Sequence, residues 1–461
     1  MADLIAESAT RIVELLRAGE ISIDDALDAL EARIDEVDGE INALPTLCFE
    51  RAREFVKLVE RDSLLAGIPV AIKELSDVAG VRTTYGSLAY ENRVSEASDL
   101  VVQRIEFNGG TVYAKSNSPE FGSGAQTFNE VFGTTKNPWD LTLTPGGSSG
   151  GAAAALASGT AWLAQGSDLG GSLRTPASFC GVTSLRPSPG LIASGPSVEP
   201  FDVYSQSGPM ARDLTDLALF TDAMTGPSPF AGLAKAPTAD SFRQAVASPE
   251  KPMKIAFSED LGVADTAAEI RRVCRQAMDR LQGEGVAIED AHPDLSMADA
   301  AFDVPRGLGY ALSYGADLEQ IRDLIKPENV WNIEFGLQLS NADILESMKA
   351  QGQIFNNAAH FMWDYDLLIC PVAIVPPYSI EERYVGYSEG LEFSEYYRWL
   401  RLAYAITATT LPVITIPCGK TEAGLPVGIQ VIGKPHGEAA LFSQARFIEQ
   451  VFDWDPLQLI R

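Results

Sequence analysis

Three stretches of this chain combine residue types that can do chemistry. The first is a lysine at the end of an apolar run, Lys73 in GIPVAIKELSDVAG. The second is a glycine-serine loop, Gly146-Gly147-Ser148-Ser149-Gly150-Gly151, which runs into AAAALASG. The third is Gly166-Ser167-Asp168-Leu169-Gly170-Gly171-Ser172-Leu173-Arg174-Thr175-Pro176. Singly each has an ordinary reading: a solvated strand end, a helix start, a tight turn. The second stretch lacks both the lysine of a phosphate-binding loop and the G-x-G-x-x-G spacing of a dinucleotide site. Together, however, the three supply what amide hydrolysis needs: a nucleophile, a base, and donors aimed at a developing oxyanion. A serine after two glycines can expose its hydroxyl. Glycines let consecutive N–H groups converge, because they carry no Cβ and tolerate positive φ. The N–H groups of Leu169, Gly170, Gly171 and Ser172 are therefore candidates for an oxyanion hole.

A serine nucleophile still needs a base, and the chain has only 3 histidines. His292 (AHPDL) and His436 (KPHGE) lie in loop-like sequence, and His360 lies in the helical pattern QIFNNAAHFMW. None has a ligand spacing such as HExxH. Ser–His–Asp and zinc mechanisms are thereby disfavoured. A lysine buried at a strand end can instead be neutral near pH 7, since burial lowers a lysine pKa. A second serine can relay the proton between them.

The composition narrows the partners. With 35 basic and 63 acidic side chains the formal net charge is −28. Nucleic acid and anionic membrane both repel such a polyanion. The cysteines Cys48, Cys180, Cys274, Cys370 and Cys418 are odd in number and scattered, with no CxxC pair. They predict neither a disulfide framework nor a zinc site. No basic, apolar leader opens the sequence, and no apolar run reaches the ~18 residues of a membrane span. The reading is a cytoplasmic protein with no metal, cofactor, nucleic-acid or membrane partner, acting as a monomer or homodimer.

Periodicity supplies the elements that must position the three stretches. Amphipathic patterns predict helices over 7–18 and 23–36. Strand patterns follow at 67–73 and 111–117, with a helix over 98–108 between them. The glycine-serine loop leads into a helix ending near 159, and 161–168 reads as a strand. A strand–helix–strand unit covers 253–260, 265–282 and 286–290. Residues 300–365 look mainly helical. Strands at 366–372, 412–419 and 427–433 precede a final helix over 438–452. Strands and helices alternating along the whole chain predict one α/β domain over 1–461: a large mixed β-sheet layered between α-helices. Within it, 1–60 forms N-terminal helices and 300–400 a variable helical region at the substrate pocket.

The three stretches, read as GIPVAIKELSDVAG, PGGSSGGAAAALASG and GSDLGGSLRTPASFCGVTSLRPSPG, resemble the amidase signature family. NSPEFGSGAQTFNEVFGTTKNPWD and GLPVGIQVIGKP add support, and the likeness runs from about residue 7 to 455. The resemblance implies a Ser–cis-Ser–Lys triad. Ser172 would be the acylated nucleophile, Ser148 the relay serine after a cis peptide, and Lys73 the base. Ser149, Asp168 and Arg174 would support the loop. The sequence departs from the amidotransferase branch of that family: Leu169 stands where a threonine is usual, and ITATTLPVITIP lacks an asparagine and a glycine. The expected activity is hydrolysis of the C–N bond of small neutral or aromatic amides, with carbamates and esters open to the same chemistry. The alternative is a glutamine-hydrolysing A-type subunit of a tRNA-dependent amidotransferase. Tyr310, Trp331, Phe335, Tyr384, Tyr387, Tyr397 and Trp399 are the aromatic candidates for the pocket wall.

Overall fold

The computed structural model describes residues 2–235, 241–388 and 390–455. Eleven strands form one mixed sheet. In chain order they are β1 (Thr46–Leu47), β2 (Pro69–Lys73), β3 (Thr111–Ser116), β4 (Leu163–Asp168), β5 (Thr183–Arg186), β6 (Gln206–Ala211), β7 (Lys254–Phe257), β8 (Ala287–Asp290), β9 (Leu367–Pro371), β10 (Val413–Lys420) and β11 (Pro426–Ile432). Across the sheet the order is β1-β3-β2-β4-β6-β5-β10-β11-β9-β7-β8. The expected α/β architecture, one mixed sheet between helices, is the observed one.

Side-chain alternation in the sheet explains the layers. Ile255 and Phe257 of β7, Leu367 and Ile369 of β9, and Ile414 and Ile416 of β10 enter one apolar cluster. The residues between or beside them, Ala256, Leu368, Cys370 and Val413, enter another. A period of two sends successive side chains to opposite faces, so both faces need cover. Helices Ala268–Gly283 and Glu438–Phe452 supply it on the first face, through Ile270, Leu281, Leu441 and Ile448. The second face is covered by a helical block carrying Phe302, Ile354 and Ala405.

Strand β2 lies between β3 and β4 and is parallel to both. Three carboxyl ends therefore meet along one edge, where open α/β sheets bind ligands. Just beyond them begins helix α1 (Gly150–Ser158), buried along its whole length. A helix apolar on every side belongs in an interior. Its small residues permit a close approach: a Cβ on Gly151 would lie 2.3 Å from the Asn117 nitrogen and 2.6 Å from the Ala43 carbonyl oxygen.

Periodicity misses β1, β5 and β6. The sequence of β6, QSGPMA, holds the two residues that normally punctuate strands. Gly208 is required there by its neighbour, since a Cβ would sit 2.2 Å from the Leu185 carbonyl oxygen of β5. The second N-terminal helix also runs further than its pattern suggests, from Ile23 to Ile41, and stops where Asn42 turns left-handed at φ +58.

Gly151→Ala is expected to destabilise the fold by about 1–3 kcal/mol, because the atoms in the way are backbone. Chemical denaturation of the two proteins checks this. Equal midpoints would contradict the packing described.

Candidate active site

Lys73 ends β2 and is wholly buried. Its Nζ donates to Ser148 Oγ at 2.8 Å, to Ser167 Oγ at 3.0 Å and to the Ser167 carbonyl at 3.3 Å. No carboxylate forms an ion pair with it among the described residues. Burial pushes the ammonium down to about 7, against the opposing pull of Asp168. The contrast with Lys115 is instructive. That lysine is equally buried one strand away, but it faces Glu74 Oε2 at 3.6 Å and donates to the Ser76 carbonyl at 2.8 Å. Glu74, next to Lys73 in sequence, thus serves the other lysine.

The Gly147–Ser148 peptide is cis. Ser148 precedes α1 and Ser172 precedes helix α2 (Arg174–Cys180). The two loops are tied by their backbones, as Ser149 N donates to the Ser172 carbonyl at 3.1 Å. Ser149 Oγ accepts from Ser167 N at 3.3 Å. Ser149 therefore spans the two loops.

Asp168 organises the third stretch. Its carboxylate accepts from Gly171 N at 2.9 Å and Leu173 N at 3.0 Å. Arg174 pairs with it through Nε and Nη2 at 3.0 and 2.8 Å, and Arg186 through Nη1 at 3.1 Å. Burial alone would raise this carboxyl, but the Arg174 and Arg186 charges and the hydrogen bonds hold it well below the usual carboxylate range. Arg174 also donates to the Ala403 carbonyl and to Gln430 Oε1, at 2.8 and 2.6 Å. These bonds anchor the loop to the helix Arg401–Thr409 through Ala403 and to strand β11 through Gln430.

Of the four N–H groups considered for an oxyanion, one is therefore already engaged. Gly171 N faces Asp168, because Gly171 turns through φ +113. The N–H groups of Leu169, Gly170 and Ser172 have no acceptor among the described residues.

A cleft of about 270 Å³ opens above these groups and is lined by Ser148, Ser167 and Ser172. Helix α3 (Ala298–Tyr314) forms its far wall with Pro305, Arg306, Tyr310 and Tyr314. Pro305 has no N–H to offer the carbonyl of Ala301. The Tyr204 hydroxyl donates to that carbonyl instead, at 3.2 Å, fastening the loop that forms the cleft's mouth. A narrower recess continues past Ser172 and Gly170 to Phe302, Arg306, Tyr397 and Tyr404.

Two of the seven aromatic candidates line these spaces, Tyr310 and Tyr397. The other five do not. Trp331 stacks on Phe335 at 5.5 Å, and Phe335 borders a separate depression. Tyr384 and Tyr387 are exposed, and Trp399 is buried edge-on to Tyr378. The region 300–365 is helical as expected, and a run of one-sided aromatics there cannot tell core from cavity. Sequence reasoning missed Ser167, Phe121, Tyr204, Tyr314 and Arg306. Ser167 carried a signal, since it alternates with Gly166 and Asp168 at the end of a strand beside Lys73. None of the three histidines lines the cleft. Among the described residues no three His, Cys, Asp or Glu side chains cluster to hold a metal, and no helix is long and apolar enough to cross a membrane.

Known proteins resemble this chain in sequence and in fold. The sequence matches the family described as Amidase over residues 25–442. The chain belongs to the amidase signature family. It is 30% identical to an acylamidase of Rhodococcus erythropolis, covering 97% of this chain and 96% of that one. It is 33% identical to the A-type subunit of the glutamyl-tRNA(Gln) amidotransferase of Moorella thermoacetica, over 96% of each. A solved 6-aminohexanoate cyclic dimer hydrolase superposes with a TM-score of 0.90 at 26% identity, covering 99% of this chain and 100% of that one. A bacterial aryl acylamidase shares the fold with a TM-score of 0.91 at 24% identity, covering 97% and 96%.

Two outcomes test the site's electrostatics. Arg174→Met leaves Asp168 buried with one arginine and is expected to cost about 3–5 kcal/mol in unfolding free energy. A loss below about 1 kcal/mol would contradict the anchoring role. If Lys73 acts as the neutral amine, kcat/KM for any turned-over substrate falls as pH drops below about 7. A rate flat between pH 5 and 9 would contradict that role.

Proposed function

We propose that this protein hydrolyses the C–N bond of small amides through an acyl-enzyme on Ser172. The observation that carries this reading is the unpaired, fully buried Lys73, 2.8 Å from Ser148 Oγ in a cleft that also exposes Ser172. A neutral Lys73 takes the proton of Ser148 as Ser148 takes that of Ser172. The Ser172 oxygen then bonds to the amide carbon. The oxyanion is met by the N–H groups of Leu169, Gly170 and Ser172, which need no reorganisation at that moment. The proton returns through Ser148 to the leaving nitrogen, the C–N bond breaks, and water releases the acyl group by the reverse relay. Asp168 and Arg174 act by holding the loop. Tyr204, Phe302, Tyr310 and Tyr397 give the acyl or amine part an aromatic surface, which suits aryl amides.

The acylamidase relative supports hydrolysis of amides. The 33% identity to an amidotransferase component favours a second reading, in which glutamine is the amide hydrolysed and the ammonia passes to a partner. Leu169, and the missing asparagine and glycine in 406–417, count against it. Glutamine hydrolysis by the isolated chain above its rate on aryl amides would favour the second reading.

Incubation with a fluorophosphonate followed by peptide mapping is expected to find the label on Ser172. Ser172→Ala should lower kcat by about 10³-fold or more. Label on another serine, or full activity in the variant, would overturn the assignment.

A further inference from the structure

Arg306 is a charge that the proposed chemistry leaves unused. It lies on α3, is only 6% exposed, and borders both the cleft and the recess in which Ser172 also lies. Its guanidinium packs over the rings of Tyr397, Tyr310 and Tyr396, at 4.2, 5.1 and 5.3 Å from their centroids. Nη1 donates to Asn332 Oδ1 at 2.7 Å and Nη2 to the Tyr396 hydroxyl. A guanidinium has five N–H donors. The others find no acceptor among the described residues.

More telling is what Arg306 lacks. No carboxylate pairs with it among the described residues. The nearby Asp303 is taken by Arg398 at 2.9 Å and by the Tyr397 hydroxyl at 2.9 Å. The acids that line the cleft are Glu199 and Asp202, in the mouth loop. Asp202 spends its carboxylate on the N–H groups of Tyr204 and Ser205, at 2.7 and 3.1 Å. The remaining buried arginines differ. Arg174 and Arg186 share Asp168, and Arg212 is tied to the Ile5 and Glu7 carbonyls away from any cleft. A buried cation is costly unless it is paired and hydrogen-bonded. Ring faces and neutral acceptors offset part of that cost. A bound anion would offset more of it.

We propose that Arg306 receives a carboxylate of the substrate, so that the favoured substrates are amides bearing a carboxylate on the acyl or the amine part. This departs from the expectation of neutral substrates, and it rests on the reading of Ser172 as the acylated serine. The planar guanidinium fork matches a carboxylate's two oxygens, and the tyrosine rings hold that fork in one plane. Net charge gives no help here: at −28 the chain as a whole repels anions, so the selection is local.

The test compares glutaric monoanilide and 4-butyramidobenzoate with butyranilide, in wild type, Arg306→Gln, Arg306→Lys and Ser172→Ala. In wild type, kcat/KM for at least one carboxylated anilide is expected to exceed that for butyranilide by about ten- to a hundredfold. Arg306→Gln should bring that ratio close to one, and Arg306→Lys should restore part of it. A ratio near or below one in wild type overturns the proposal even if a variant fails to fold. A preference that survives in Arg306→Gln also overturns it. Hydrolysis of butyranilide that is lost in Ser172→Ala, without a carboxylate preference, sinks this inference alone. Failure to hydrolyse any of the three sinks the amidase reading with it.

Discussion

The site depends on an uneven distribution of charge in a dry interior. Asp168 receives two arginines, whereas Lys73, within the same cluster of strand ends, forms no ion pair among the described residues. Had a carboxylate stood beside Lys73, the ammonium would have been held charged and useless as a base. Asp168 is close enough to be felt but is committed elsewhere. The carboxylate fixes the loop's shape and the lysine keeps a labile proton, two roles that a single ion pair would have cancelled.

That arrangement lowers stability. The unfolded chain holds a proton on Lys73 up to the ordinary lysine value of 10.5, and the folded one releases it near 7. Between those values the unfolded state binds more protons, so folding stability rises with pH across that window. The cost at neutral pH is on the order of a few kcal/mol. Close packing elsewhere offsets it: an alanine-rich helix set against backbone at Gly151, a two-faced sheet core, and Arg174 spanning from the loop to Gln430. Placing the costly lysine at the end of a parallel strand keeps it on a rigid element.

Much of this was legible in the residues. The apolar strand ending in Lys73, the glycines before Ser148 and the turn around Asp168 are local patterns, and local patterns predict local structure. Long strands and amphipathic helices were equally readable, because periods of 2 and 3.6 leave a mark. Strand β6 was hidden, since Gly208 answers to the Leu185 carbonyl of the neighbouring strand rather than to its own sequence. The pocket wall was the least legible part. Trp331, Trp399 and Tyr310 look alike in the sequence, and only packing decides which meets a cavity. Arg306 escaped for the same reason: its meaning comes from Asp303 being occupied by Arg398, a fact no spacing encodes. Gly171 shows the limit at finer scale, where a plausible oxyanion donor is spent on Asp168.

The central claim is that Lys73 is a neutral amine at working pH. It is tested most directly by NMR titration of the folded protein with 13Cε- and 15Nζ-labelled lysine, the Lys73 resonance assigned by its loss in Lys73→Arg. The account predicts a midpoint near 7 for that one side chain. A midpoint near the ordinary 10.5, with the fold intact, would contradict it.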